Sequence, residues 1–247
     1  MELQDKTIVI TGGARVGQVV AKRLAAAGAH LAMTYVSSGA EINQAIAGLK
    51  DEHSISARGY QVDVTHEEQV RGLLPAVTAD FGGADGLILM ASLFTEEGTV
   101  DFTSFQKTFA VNAFGNMLLA RQFAEGAQAR GAVSAPIVAF IDWAVDHPYA
   151  GYDTYIAAKA ALRHYLMALQ VSFAGHIRVV NIHPGMILEP KDFPADVKAN
   201  IIANTPTQAI GTPEQAAALV QTALETDYLA DNIYLAGGQQ WRHRLQD

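Results

Sequence analysis

The 247-residue sequence contains no cysteine, which excludes disulfide staples, thiolate metal sites and cysteine nucleophiles, and fits a reducing compartment. Charge is sparse: Asp, Glu, Lys and Arg make up 17% of the residues, and acidic side chains outnumber basic ones to give a formal net charge of −8. A surplus of that sign disfavours nonspecific binding to nucleic acid or to an anionic membrane, while a local cationic pocket stays compatible with it. No apolar run approaches the roughly 18 residues that a membrane span needs, and Met1 to Lys6 is too short and polar for a signal peptide. A soluble, cytoplasmic protein is expected. No Pro/Gly/Ser-rich linker, charge run or internal repeat divides the chain, so residues 1–247 are expected to form a single domain. The eight histidines, His147, His164, His176 and His183 among them, lack any ligand spacing such as His-Glu-x-x-His; they are assigned to surface or core, His243 to a solvated tail, and no metal site is expected.

What is present is apolar: half the residues are hydrophobic, enough to build a large core. Apolar runs alternate with segments of helical period, which places strands near 7–11, 30–35, 57–62, 86–91, 136–141, 177–182 and 232–235. Leu87-Ile88-Leu89-Met90 and Ile137-Val138-Ala139-Phe140-Ile141 are continuously apolar rather than alternating, the pattern of strands covered by helices on both faces. The expected fold is therefore α/β, a doubly wound parallel sheet with helices on both faces, right-handed crossovers and ligands beyond the carboxyl ends of the strands.

The first strand runs directly into Gly12-Gly13-Ala14-Arg15-Val16-Gly17 and then a helix over Gln18 to Ala27 that stops at Gly28. Strand, glycine turn and helix together form an anion site: glycines let the backbone approach a pyrophosphate, and the helix start offers free N–H groups and positive dipole. About 20 residues on, where an NAD site often carries an acid for the ribose, the chain reads Thr34-Tyr35-Val36-Ser37-Ser38. With no carboxylate there to repel a 2′-phosphate, NADPH/NADP+ is expected over NAD. Arg15 is the candidate phosphate partner, with Ser37 and Ser38 as hydroxyl donors; a solvated cation at a helix start is the alternative for Arg15. Asp63, in Gln61-Val62-Asp63-Val64, is placed either to accept from an adenine amino group or to cap the helix beginning near His66.

Tyr155 and Lys159 are four residues apart and project from one helical face, so a phenol and an ammonium come within reach of each other. A nearby cation lowers a phenol's pKa, and Tyr155 is expected to be a proton donor tuned in this way by Lys159. The alternative is a core-edge tyrosine beside a solvated lysine.

Taken in order, the glycine turn, Asp63-Val64, Asn112, Tyr155-x-x-x-Lys159 and His183-Pro184-Gly185 resemble the short-chain dehydrogenase/reductases over nearly the whole chain. The resemblance implies a Rossmann-type fold, Tyr155 as proton donor, Lys159 on the nicotinamide ribose, and Asn112 supporting a proton-relay water. It places Tyr35, Val64, Ala91, Ser92, Pro184, Gly185 and Met186 against the cofactor, and implies a homotetramer acting on a small molecule. Most members carry serine 13 positions before the tyrosine; here Asp142 stands there, which resembles the pteridine reductases and dihydromonapterin reductases. In those enzymes the aspartate works with the tyrosine on a pterin ring. Phe94 falls where such enzymes stack their substrate, Ser92 matches a polar contact, and Tyr152 adds a second contact. Outside the resemblance, Asp142 reads as a strand-end acid capping a turn, and Phe94 as a core aromatic. Three positions depart from the pattern: the glycine turn is one residue short and lacks its middle glycine, Met90 replaces an asparagine, and Ser37 stands where arginine is common. The implied activity is NADPH-dependent reduction of a dihydropterin-like substrate, with a carbonyl or 3-oxoacyl-thioester reductase and a non-catalytic NADP(H)-binding regulator as the alternatives.

Overall fold

The computed structural model describes residues 1–94, 101–189 and 193–244. Seven strands form one sheet: β1 (Thr7–Thr11), β2 (His30–Tyr35), β3 (Ala57–Gln61), β4 (Gly86–Leu89), β5 (Ala135–Phe140), β6 (Ile177–Pro184) and β7 (Asp231–Leu235). Their order is β3-β2-β1-β4-β5-β6-β7, and every pairing is parallel. The strand order reverses between β1 and β4, where the connections leave to opposite sides and open a crevice at the carboxyl ends.

Both faces of the sheet are buried. On one side Val9, Leu87, Leu89, Ile137 and Ala139 pack under α3 (Glu67–Phe81), α5 (Gly115–Ala129) and α6 (Asp153–Ser172). On the other, Ile8, Ile10, Leu31, Ile88 and Val138 meet α1 (Val16–Ala26), α2 (Gly39–Glu52) and α8 (Pro213–Glu225). The alternation of Ile8, Val9 and Ile10 between two cores explains why the strands read as unbroken apolar runs.

All seven expected strands are present; β1 and β2 have the expected ends, and the others shift by one or two residues. β4 stops at Leu89 rather than 91, because the N–H groups of Met90 and Ala91 turn away from the ladder and donate to Thr11 Oγ1 at 3.0 and 3.1 Å. β6 runs on to Pro184, since His183 and Pro184 pair with Tyr234 and Leu235 of β7. The first helix begins at Val16, two residues earlier than expected, because Gly17 and Gln18 already donate to Ala14 and Arg15.

Helix α4 (Phe102–Phe109) continues into α5 through a single π-helical turn, Ala110–Phe114. A wide turn of this kind interrupts the regular i→i−4 ladder and rotates the helix beyond it. It places Asn112 at the site while Leu119 and Phe123, further along, stay in the core. The remaining helix is α7 (Ala195–Ala203). Among the described residues no helix is long and apolar enough to cross a membrane, and no group of His, Asp or Glu is arranged to hold a metal ion. The side chain of His243 lies outside those described.

Candidate active site

The β1–α1 turn is built for close approach. Gly12 has φ +69°, and a Cβ there would sit 2.9 Å from the Ala91 nitrogen, so only glycine lets β1 turn against the end of β4. Gly13 donates to the Thr34 carbonyl at 3.0 Å, tying the turn to the end of β2. A Cβ on Gly17 would meet the Gly12 oxygen at 2.5 Å, which sets the first turn of α1 directly on the loop. Arg15 takes φ +52° with ψ −115°, a sparsely populated backbone conformation that costs a residue with a side chain about 1–3 kcal/mol. Helix α1 begins at Val16 with no side-chain cap and no acid in its first turn, so no side chain of that turn neutralises its positive dipole end. These features fit a dinucleotide pyrophosphate.

The flanking candidates lie along the same carboxyl edge. Tyr35 ends β2, its ring wedged where a Cβ on Gly39 or Gly59 would sit, and Ser37 and Ser38 follow it into α2. Past the ends of β2 and β3, Val36, Gln61, Asp63, His66 and Gln69 line a groove of ≈ 430 Å³. Asp63 does not cap α3. Its carboxylate accepts instead from Thr65 N and Oγ1 at 2.9 and 2.8 Å, and those local bonds hold it below the ordinary carboxylate pKa despite partial burial. Val64 packs against Gly115, and Gly185 and Met186 follow directly from Pro184 at the end of β6.

Behind this edge lies the acid–base cluster. Tyr155 and Lys159 sit in the first two turns of α6, 5% and 2% exposed. The Tyr155 hydroxyl donates to Asp142 Oδ2 at 3.0 Å, and Asp142 Oδ1 accepts from Ala144 N at 2.8 Å. Asp142 thus caps a short 3-10 turn (Trp143–Val145), as the turn-capping reading expects, and also accepts from the phenol. Asp142 keeps part of its surface open, yet protein encloses its carboxylate, and that desolvation raises its pKa against the opposing bonds from Ala144 and Tyr155.

Here the expected tuning is reversed. Burial, and then the charge of Asp142, push the Tyr155 phenol well above its ordinary pKa. Lys159 does not lower it. The ammonium lies 5.9 Å from the phenol ring centroid and donates to the Phe140 carbonyl at 2.7 Å, so the carboxylate is the nearer charge. Complete burial lowers Lys159 itself to about 8, partly offset by Asp142.

Asn112, fully buried in the π turn, has all its side-chain hydrogen-bonding positions in use. Oδ1 accepts from Ser92 Oγ at 2.8 Å and Leu93 N at 3.0 Å; Nδ2 donates to Leu93 O at 2.9 Å and Thr108 O at 3.1 Å. The amide therefore fixes the segment after β4 and leaves no side-chain valence for a relay water. Asn116, one helical turn on, holds the same segment through Nδ2 to Ala91 O at 3.1 Å. Its only trace in the sequence is a second asparagine at i+4, a signal too common to mark a site.

Phe94, 49% exposed, is not a core aromatic. It stacks on Tyr152 with centroids 4.5 Å apart and planes 8° apart, and its ring meets Tyr155 edge-on at 5.0 Å. The two residues expected to receive a substrate thus cover one another, and Phe94 meets the Tyr155 ring. Tyr149 meets Tyr152 at 5.4 Å and Trp143 lies 5.7 Å from Tyr149, extending the aromatic wall with two residues that no sequence pattern marks.

The family profile of short chain dehydrogenases matches residues 6–193. Among curated proteins, the glycine betaine reductase of Emericella nidulans is 32% identical over 192 residues, 74% of this chain; the chain spans only 14% of that protein's length. The cis-4-hydroxycyclohexanecarboxylate dehydrogenase of Sinomonas cyclohexanicum is 28% identical, with 86% of each chain covered. Among solved structures, a short chain dehydrogenase from Burkholderia cenocepacia in complex with NADP is 28% identical, covers 97% of this chain and 99% of its own, and superposes with a TM-score of 0.87.

Proposed function

Since the chain belongs to the short-chain dehydrogenase/reductase family and is an oxidoreductase, we propose that it is an NADPH-dependent reductase of a flat, nitrogen-bearing ring of the dihydropterin type. NADPH, when bound, supplies the hydride. Gly12, Gly13, Val16, Gly17 and the start of α1 hold the pyrophosphate, Arg15, Ser37 and Ser38 the 2′-phosphate. Tyr35, Asp63 and Val64 border the adenosine, and Ala91, Ser92, Lys159, Pro184, Gly185 and Met186 the nicotinamide half. The NADP complex of the Burkholderia relative supports this cofactor.

The observation that carries the substrate class is the bond between Tyr155 and the enclosed carboxylate of Asp142. A ketone offers a carboxylate nothing to accept from, whereas a pterin edge offers ring N–H and amino donors. As the ring C=N bond accepts hydride at carbon, Tyr155 gives its proton to nitrogen. The phenolate left behind is reprotonated from water, and the Asp142 carboxylate accepts the renewed hydroxyl. Phe94 supplies a flat apolar surface beside the phenol once Tyr152 gives way.

The glycine betaine reductase and the hydroxycyclohexanecarboxylate dehydrogenase act on substrates other than pterins and favour a second reading, a carbonyl or 3-oxoacyl-thioester reductase. A panel of dihydrobiopterin, a ketone and a 3-oxoacyl thioester, read as loss of NADPH absorbance, separates the two. Turnover of dihydrobiopterin well above the others supports the pterin reading, and thioester or ketone turnover without it selects the second. Subunit association, expected as a homotetramer, finds support only as a contact surface: the face of α4 buries none of its residues and presents exposed Phe102 and Phe105 next to exposed Phe114 of the π turn.

A further inference from the structure

His183 is fully buried beside the acid–base cluster, and the reductive step assigned to Tyr155 and Asp142 does not use it. It sits on β6 immediately before Pro184 and Gly185, where the β5–β6 ladder runs out. The last backbone bond of that ladder is Ile141 N to Ile182 O at 2.8 Å. The next carbonyl, that of Asp142, is met by a side chain instead: His183 Nδ1 lies 2.9 Å from it. A carbonyl only accepts, so Nδ1 carries hydrogen, and it does so whether the ring is neutral or charged. Val145 N reaches the same oxygen at a longer 3.3 Å.

The ring is itself held on two further sides. Nε2 lies 2.9 Å from Asn232 Oδ1, and the imidazole stacks on Tyr234 with centroids 4.7 Å apart. The Tyr234 hydroxyl donates to Asp146, four residues after Asp142, and Arg163 of α6 donates to both oxygens of Asp146 at 2.7 and 2.8 Å. The short segment from Asp142 to Asp146 is thereby anchored at its start by His183 and at its end by Tyr234 and Arg163. Arg163 stands one turn beyond Lys159 on the helix that carries Tyr155.

We infer that His183 is a positioning residue. By donating from Nδ1 to the Asp142 carbonyl, it fixes the backbone from which the Asp142 carboxylate reaches Tyr155, and so couples the strand bordering the nicotinamide to the acid pair. This rests on the reading that Asp142 and Tyr155 act together. A carboxylate displaced by about 1 Å from a 3.0 Å contact passes beyond hydrogen-bond reach of the phenol and loses its aim at a substrate edge.

The test uses the two ends of the imidazole separately. In His183→Asn the amide N–H takes the place of Nδ1 and keeps the bond to Asp142. In His183→Gln it takes the place of Nε2 and keeps only the contact with Asn232; His183→Leu keeps neither. With NADPH and either dihydrobiopterin or the ketone that wild type turns over best, His183→Asn is expected to retain most of kcat. His183→Gln and His183→Leu are expected to lose about tenfold or more in kcat, with KM and NADPH affinity little changed. Asn232→Ala, which spares Nδ1, should behave like wild type, and thermal unfolding of each variant is recorded alongside. The His183→Leu loss should vanish in an Asp142→Ser background, as expected of a residue acting through Asp142. Equal losses in the Asn and Gln variants, losses that follow melting temperature alone, or an undiminished His183→Leu effect without Asp142 would each overturn the inference. An Asp142→Ser enzyme as active as wild type would instead overturn the underlying reading of Asp142, and wild type inert toward pterins but active on ketones would overturn the pterin assignment alone.

Discussion

The hydroxyl of Tyr155 points its hydrogen at a carboxylate oxygen of Asp142 over 3.0 Å. A phenol so bonded is held in its protonated form, the form a reductase needs before it delivers a proton.

Replacing Tyr155 by Phe removes the acid while keeping the ring that Phe94 meets edge-on. Turnover is expected to fall by about 10²- to 10⁴-fold, the usual worth of a positioned proton donor. NADPH affinity, followed by fluorescence titration, should stay close to wild type. Full turnover in the variant would remove Tyr155 from the mechanism.

Rates should decline on the alkaline side through Lys159 rather than Tyr155. The phenol is raised well above its ordinary pKa and keeps its proton there, whereas the ammonium is lowered to about 8. The Asp142 charge raises Lys159, so Asp142→Asn should move the alkaline limb of the kcat/KM profile to lower pH. Stability follows with the opposite slope. The folded pKa of Lys159 lies below the unfolded value of about 10.4, so the unfolded chain binds more protons between the two, and Lys159 makes stability rise with pH across that window. Urea unfolding from pH 8 upward should show a shallower rise in Lys159→Met than in wild type.

Two helical glycines should respond in opposite directions to alanine. A Cβ on Gly115 would lie 2.1 Å from the Val64 carbonyl oxygen, so Gly115→Ala forces α5 away from the β3–α3 connection at a cost of about 1–3 kcal/mol. Gly48, within α2, has nothing within 4 Å of that position, and Gly48→Ala should gain about 0.5–1 kcal/mol. Thermal denaturation checks both signs.

Arg15→Gln keeps a side chain at the positive-φ position and removes the charge beside the start of α1. KM for NADPH should rise about tenfold while that for NADH barely changes, because only the former carries a 2′-phosphate. Equal effects on both cofactors would return Arg15 to the role of a solvated cation.

Much of this architecture is legible in the sequence because burial leaves a simple trace. Leu87 to Leu89 and Ile137 to Phe140 are buried on both sides, so their unbroken apolar character identifies parallel strands directly. Strand ends are less so: β4 stops where Thr11, a residue 79 positions before Met90, captures the next two N–H groups, and no local pattern records that. The order of Asp142, Tyr155 and Lys159 is readable, but the direction of their electrostatic coupling is not. It depends on which oxygen or nitrogen lies nearest the phenol, and Phe140 draws the ammonium to its carbonyl. The mutual stacking of Phe94 and Tyr152, and the second grip on the Asp142 backbone by His183, join segments far apart in sequence through residue types with no periodic signal. The π turn over Ala110–Phe114 is composed of residues ordinary in any helix.

That widened turn holds one residue more than the α-helical turn it replaces, and the helix beyond it continues as though that residue were looped out. Deleting one residue between Ala110 and Phe114 would therefore leave Leu119 and Phe123 facing the apolar interior, while the backbone around Asn112 would be rewound and its clamp on the strand end disturbed. The extra residue serves the clamp and not the core.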